Sequence, residues 1–363
     1  MNCVLHSRIM VRCTDLDAYK FCNNNYLAYF IASEICATRD TQEILNCLQT
    51  ACFGIYSNIL LFVTYITNDQ TIIDSLLNAT LSYVAEWDEF SFSKSNISHL
   101  NMVGAQFDLL PPSEEDKKED KQADIEKDRT EVDTITVDIV NIYDQDDWDI
   151  AKLENRLSRS ISLVMLLARC LPNFEHRLKK GQKEAIIHAL YTIPNRIYYG
   201  WATHVEECRD ELLNLITTME TNAFTRRKPT IEDARHILQW NSISLLLELY
   251  HLVVNNAYRE NTAEFLTNMA QTILPFSEET HKLELLLVLS KSNNISEFQS
   301  IADKYKDTCD IPAANLALTR VVHHLLLRGK ISPKQVAQLE SKFFPDAKRS
   351  ATLYQRKIEG QRK

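Results

Sequence analysis

TQEILNCLQTACFGIYSNILLFVTYITNDQTIIDSLLNATLSYV, residues 41–84, sets two apolar runs on either side of a short polar turn, TNDQT. In the first run Ile44, Cys47, Leu48 and Ala51 recur at spacings of three and four residues. In the second, Ile72, Ile73, Leu76, Leu77, Leu81 and Val84 do the same. That period is one face of an α-helix, and the alternation that marks a strand is missing. The stretch predicts a pair of helices folded back on each other about the turn.

The rest of the chain repeats this grammar. Ile161, Val164, Leu167, Ala168 and Leu171 form a stripe ending at Pro172. Lys183–Ile193 predicts a helix that stops before Pro194, because proline lacks the N–H a helix interior needs. Val205, Cys208, Leu212, Leu215, Ile216 and Met219 mark the next helix. Pro229 opens a long one through Ile237, Trp240, Ile243, Leu246, Leu247, Tyr250 and Val254, with Trp240 expected between helices. Pro312 starts another, bearing Leu316, Val321, Leu325 and Leu326. Ser296-x-x-Gln299 and Ser332-x-x-Gln335 read as capping boxes, the second with Pro333 at the first helical position. Glycine agrees: six in 363 residues is under 2%, against a usual level of about 7%. So little glycine leaves few tight β-turns and no Gly-rich phosphate cradle. The expected fold class is all-α.

Helices joined by short polar turns suggest an α-solenoid of stacked antiparallel helix pairs. The drifting spacing between stripes, without an exact repeat, is similar to armadillo and HEAT arrays. QEILNCLQTACFGIYSNILLFV, the TNDQT turn and IIDSLLNATLSYV together resemble one such repeat. With TDLDAYKF before it, residues 14–85 resemble the armadillo-type serum amyloid A-like family.

The helical pattern breaks once. From Asp108 to Asp149 there are 16 acidic and five basic residues, a net of −11, while the whole chain is −9. Residues 111–130 hold almost nothing to bury, so ordering them has no offset and they are expected to be disordered or at most a solvated helix. The segment reads as a solvated insertion or as an acidic recognition element. Its last part, TITVDIVNIYDQDDWDI, alternates apolar and acidic residues around Trp148 and suits a short docking motif. The expected organisation is an N-terminal helical arm at 1–107, the acidic insertion at 108–149, a C-terminal arm at 150–345 and a basic tail at 346–363.

Catalytic and metal motifs are scarce. Cys47 and Cys52 do not share a helix face closely enough to chelate, and His323 and His324 are adjacent, so they point apart. His204 and Cys208 stand at i and i+4, a pair that reads as a core cysteine beside a rim histidine rather than a nucleophile. No P-loop, dinucleotide, zincin, EF-hand or hydrolase-elbow pattern occurs. The chain is expected to be no enzyme and to carry no cofactor and no metal.

Two basic features remain as candidate partner-binding elements. Arg226, Arg227 and Lys228 lie before the Pro229 helix. From Arg328 to Lys363 there are ten basic and three acidic residues, net +7, with Lys348, Arg349, Arg356 and Lys357 beside a possible last helix through Ala347, Ala351, Tyr354 and Ile358. The charged N-terminus (Arg8, Arg12, Asp15, Asp17) lacks a signal-peptide core, and IYSNILLFVTYI at 55–66 is too short to span a bilayer. A cytoplasmic or nuclear location, reduced cysteines and no membrane insertion are expected. The functional expectation is a scaffold or adaptor binding one or more proteins. The alternative is a nucleic-acid-associated factor using the basic tail, with the acidic insertion as internal competitor.

Overall fold

The computed structural model describes residues 10–13, 18–21, 23–38, 43–44, 46–47, 54–67, 70–95, 97–101, 153–174, 178–218, 228–257, 279–291, 294–328 and 331–345. Helices make up nearly all of them, as the periodicity requires. One departure is a short antiparallel pair, β1 (Met10–Cys13) and β2 (Ala18–Phe21), with Met10 opposite Phe21 and Cys13 opposite Ala18. Neither MVRC nor AYKF alternates cleanly, so no period-2 signal announces it.

The chain divides into two compact units, Met1–Glu86 with Gln122–Ile193, and Trp87–Lys121 with Pro194–Lys363. This division differs from the expected arms at 1–107 and 150–345. The helix that follows the acidic segment belongs with the N-terminal helices.

In the first unit α1 (Asn24–Thr38) packs on α2 (Gly54–Ile66), and α4 (Leu153–Phe174) receives both α2 and α3 (Gln70–Tyr83). Most of each stripe is buried, with Ile72, Ile73 and Leu76 of α3 and Val164, Leu167, Ala168 and Leu171 of α4 in the core, while Leu77 and Ile161 are half-buried and Leu81, at the end of its stripe, is exposed. Pro172 does not end α4, which continues to Phe174. A proline this close to the C-terminus removes a single helix hydrogen bond.

Pro194 is the larger correction. Helix α5 runs unbroken from Lys180 to Glu207 with Pro194 inside it, where the sequence predicts a stop. Interior proline costs about 3 kcal/mol. Ile186, Ile187, Leu190 and Ile193 before it, and Ile197, Tyr198 and Ala202 after it, are all buried, and that burial offsets the loss. The break falls instead at Cys208, and α6 (Arg209–Thr218) opens with Asp210 and Glu211, which suit the positive end of its dipole.

In the second unit α7 (Ile231–Ala257) packs on α6, α8 (Glu279–Lys291) and α10 (Pro312–Arg328). A cap the sequence reading missed starts it: Thr230 Oγ1 accepts from the Asp233 N–H at 3.2 Å, and Asp233 accepts from the Thr230 N–H at 2.7 Å. Helix α7 is long and apolar enough to cross a membrane by length and composition, yet 56% of its apolar window is buried among the other helices. Trp240 is half-buried, with the Arg320 guanidinium 4.2 Å from its ring centroid. Helix α8 packs on α7, α10 and α9 (Ile295–Thr308), and nine of its thirteen residues are buried.

The predicted box at Ser332 is present, opening α11 (Pro333–Phe343) with Pro333 in the first turn. At Ser296 it is not. The N-cap of α9 is Asn294, two residues earlier, whose side chain accepts from the Glu297 N–H.

The segment Trp87–Asn101, ending in a 3₁₀ turn at Ser98–Asn101, lies along this unit. A Cβ on Gly200 of α5 would collide with the Trp87 ring, so only glycine admits that indole. Phe90 stacks edge-on to Tyr198 at 4.7 Å, and Gln239 of α7 donates to the Leu100 carbonyl.

Candidate binding surface

Helices α1 and α2 are both apolar on two sides. In α1, Ala28, Ala32 and Ile35 recur at i, i+4 and i+7 and are buried; two alanines in that row let the α2 backbone come close. Tyr26, Tyr29 and Phe30 occupy other positions around the helix and are exposed. In α2, Ile59, Leu60, Val63 and Thr64 face inward, and Tyr65 and Ile66 are exposed. The rings touch in series. Phe21 and Phe30 are 5.7 Å apart, Tyr29 and Phe30 5.8 Å, Tyr29 and Phe62 5.7 Å, and Phe62 and Tyr65 6.3 Å.

Five of the eight large hydrophobic residues exposed among the described residues belong to this one pair of helices, so they form a patch and not a scatter. Phe30 keeps 48% and Tyr65 51% of its surface in water. Each half-exposed ring leaves roughly 100 Å² of mostly apolar area, so four leave about 400 Å². That is the size at which an exposed patch marks an interaction site. Charge is nearly absent: α2 has none and α1 only Glu34. Aromatic residues without flanking charge are the composition of an interface core. The i, i+3, i+4 spacing of Tyr26, Tyr29 and Phe30 is visible in the sequence. What the spacing lacks is any sign of which apolar side meets a neighbour.

The second unit brings serine, histidine and carboxylate together at one place. Glu206 accepts from Ser98 Oγ, from the His99 backbone N–H at 3.0 Å, from His99 Nδ1 at 2.8 Å and from Arg209 at 2.9 Å. Burial alone would raise the Glu206 pKa, but the Ser98 and His99 hydrogen bonds outweigh it and draw the carboxyl down to about 2. Burial lowers the His99 pKa despite that partner. The consistent state is a neutral imidazole donating from Nδ1 to a carboxylate, a hydrogen bond more than an ion pair. A nucleophilic relay needs the serine hydroxyl on the imidazole. Here both groups bind the acid, and His99 Nε2 is buried with no hydrogen-bond partner. The cluster fastens the 3₁₀ turn to the end of α5.

Among the sequence candidates, Lys228 is exposed at the entrance to α7. Arg226, Arg227, Lys348, Arg349, Arg356, Lys357 and Trp148 lie outside the described residues, as do the acidic stretch 108–149 and the tail 346–363. No three His, Cys, Asp or Glu side chains group as metal ligands among the described residues. His204 pairs with Glu207 at 3.5 Å, and Cys208 donates only its backbone N–H to the His204 carbonyl. His323 and His324 do point apart, one toward Phe344 and the other against His251, with ring centroids 4.2 Å apart and the planes tilted by 49°. Comparison of the chain with protein-family models, with curated protein sequences and with solved structures finds no match.

Proposed function

We propose that the chain is a non-catalytic scaffold or adaptor that docks partner proteins on the aromatic face of α1 and α2. The observation behind this reading is the row of rings from Phe21 to Tyr65, with Tyr29, Phe30 and Tyr65 exposed on helices almost without charge. Burying its roughly 400 Å² at about 25 cal/mol per Å² contributes on the order of 10 kcal/mol before the costs of association. An armadillo- or HEAT-like stacking of the helix pairs, in the cytoplasm or nucleus, is the architectural part of the same proposal.

A photo-crosslinking amino acid at Phe30, compared with one at exposed Leu215 in the second unit, tests it. A discrete set of proteins crosslinked from position 30, and lost with Tyr29→Ser and Tyr65→Ser, is the expected result. Identical crosslinks from both positions, or crosslinks that survive those substitutions, would overturn it. A melting temperature unchanged by Tyr29→Ser and Tyr65→Ser separates loss of contact from loss of fold.

A further inference from the structure

Glu284 is the second residue of LELLLVL, 283–289, on α8, the helix of the second unit that packs against α7, α9 and α10. It is 3% exposed, and neither carboxyl oxygen has a hydrogen-bond partner. One turn earlier on the same face, His281 is held at 2.7 Å by Glu89, so a second carboxylate is anchored beside it. An ionised carboxylate in such a place has neither water nor a donor, a cost well beyond that of the neutral acid.

We infer that Glu284 is a proton-binding site: the folded second unit holds it as the neutral acid, and loss of that proton at rising pH loosens the α7–α8–α9 core.

Among the described residues, no basic side chain is paired with it. From α7 comes Tyr250, whose hydroxyl donates to Asn195 and which Tyr198 of α5 and Tyr305 of α9 also approach. The segment at 87–101 contributes Glu89, already engaged by His281. On α8 itself Lys282 lies over the Tyr305 ring at 5.7 Å. On α10, Arg320 sits over Trp240 and His324 on His251. Burial, then the Glu89 charge, push the Glu284 pKa well above its ordinary value.

The sign follows. Between the ordinary carboxylate pKa near 4.5 and the raised folded value, the folded state keeps a proton that the unfolded chain has released. Stability is greatest below that window and falls as pH rises through it, by up to about tenfold in the folding equilibrium per pH unit. An isosteric amide, never charged, escapes the loss.

The experiment is urea unfolding of the full chain from pH 5 to 9, followed by tryptophan fluorescence. Three of the four tryptophans, Trp87, Trp201 and Trp240, belong to the second unit. Wild type and Glu284→Gln are compared, with infrared spectra of both for the carbonyl stretch of a protonated acid. The expected result is a variant that matches wild type near pH 5, exceeds it by tenfold or more at pH 8, and lacks one protonated-acid band. Parallel pH profiles, or a variant weaker at every pH, would overturn the inference. The band is read on wild type alone should the variant fail to fold, and its absence at pH 6 overturns the inference as well.

Discussion

Helices α2 and α8 are the same length, thirteen residues, and their fates are opposite. GIYSNILLFVTYI has no charged residue, yet four of its side chains are buried and its aromatic edge faces water. ETHKLELLLVLSK carries Glu279, Lys282, Glu284 and Lys291, yet nine of its residues are buried, Glu284 among them. Composition alone would reverse the two. Neighbours decide: α8 is enclosed by three helices, while the exposed side of α2 joins that of α1. The uncharged helix leaves an apolar edge in water, and the charged one buries a carboxyl group.

The sharpest way to break this contrast is Leu286→Ala on α8, at a position with no exposure. A cavity there should cost about 2–5 kcal/mol, measured by urea unfolding. If the cost is no larger than that of a surface change, α8 is not the core of its unit. Next in size comes Gly200→Ala, whose methyl overlaps the Trp87 ring. Overpacking should cost about 1–3 kcal/mol, and a smaller side chain at Trp87 should recover part of it in a double-mutant cycle. Additive effects would show that the indole does not sit on Gly200.

Glu206→Gln probes a part-buried carboxylate whose hydrogen bonds are made, unlike Glu284. It should cost about 1 kcal/mol at neutral pH. Because the folded Glu206 pKa is lowered to about 2 from 4.5, its contribution is present above 4.5 and fades as pH falls toward 2. Thermal melts of both proteins should therefore converge in acid; a constant gap would mean that the carboxylate charge is not what matters. The smallest effect belongs to Tyr65→Ala on α2, within about 0.5 kcal/mol. A loss above 2 kcal/mol would show that the aromatic edge is covered by the chain itself.

Helix existence was legible because local spacing carries it. The stripes through Ile72 and Leu76, or Val164 and Leu171, needed no knowledge of their neighbours. Pro194 and Ser296 were misread because each was judged by a local rule. Burial on both sides of Pro194 overrides the lost hydrogen bond, and Asn294 captures the Glu297 N–H before Ser296 has the chance. The aromatic face lay half in view, since Tyr26, Tyr29 and Phe30 share a spacing but the sequence does not say which side of α1 stays open. Glu284 was hidden for the same reason in reverse: a lone charge in a leucine run looks like the one residue turned to solvent.

The fastening of Trp87–Asn101 to the second unit also fixes an order of events during synthesis. Ser98 and His99 meet Glu206, and Leu100 meets Gln239, 139 residues further on. At about 5–20 residues per second, roughly 7–30 s separate the emergence of Leu100 from that of its partner. Phe90, Phe92, Ile97 and Leu100, all buried in the finished fold, emerge before the groups that Phe90 and Leu100 meet, Tyr198 and Gln239. Trp87–Asn101 is thus the first-made part of the second unit and the last to be fastened, since α5 and α7 must be synthesised before it can dock.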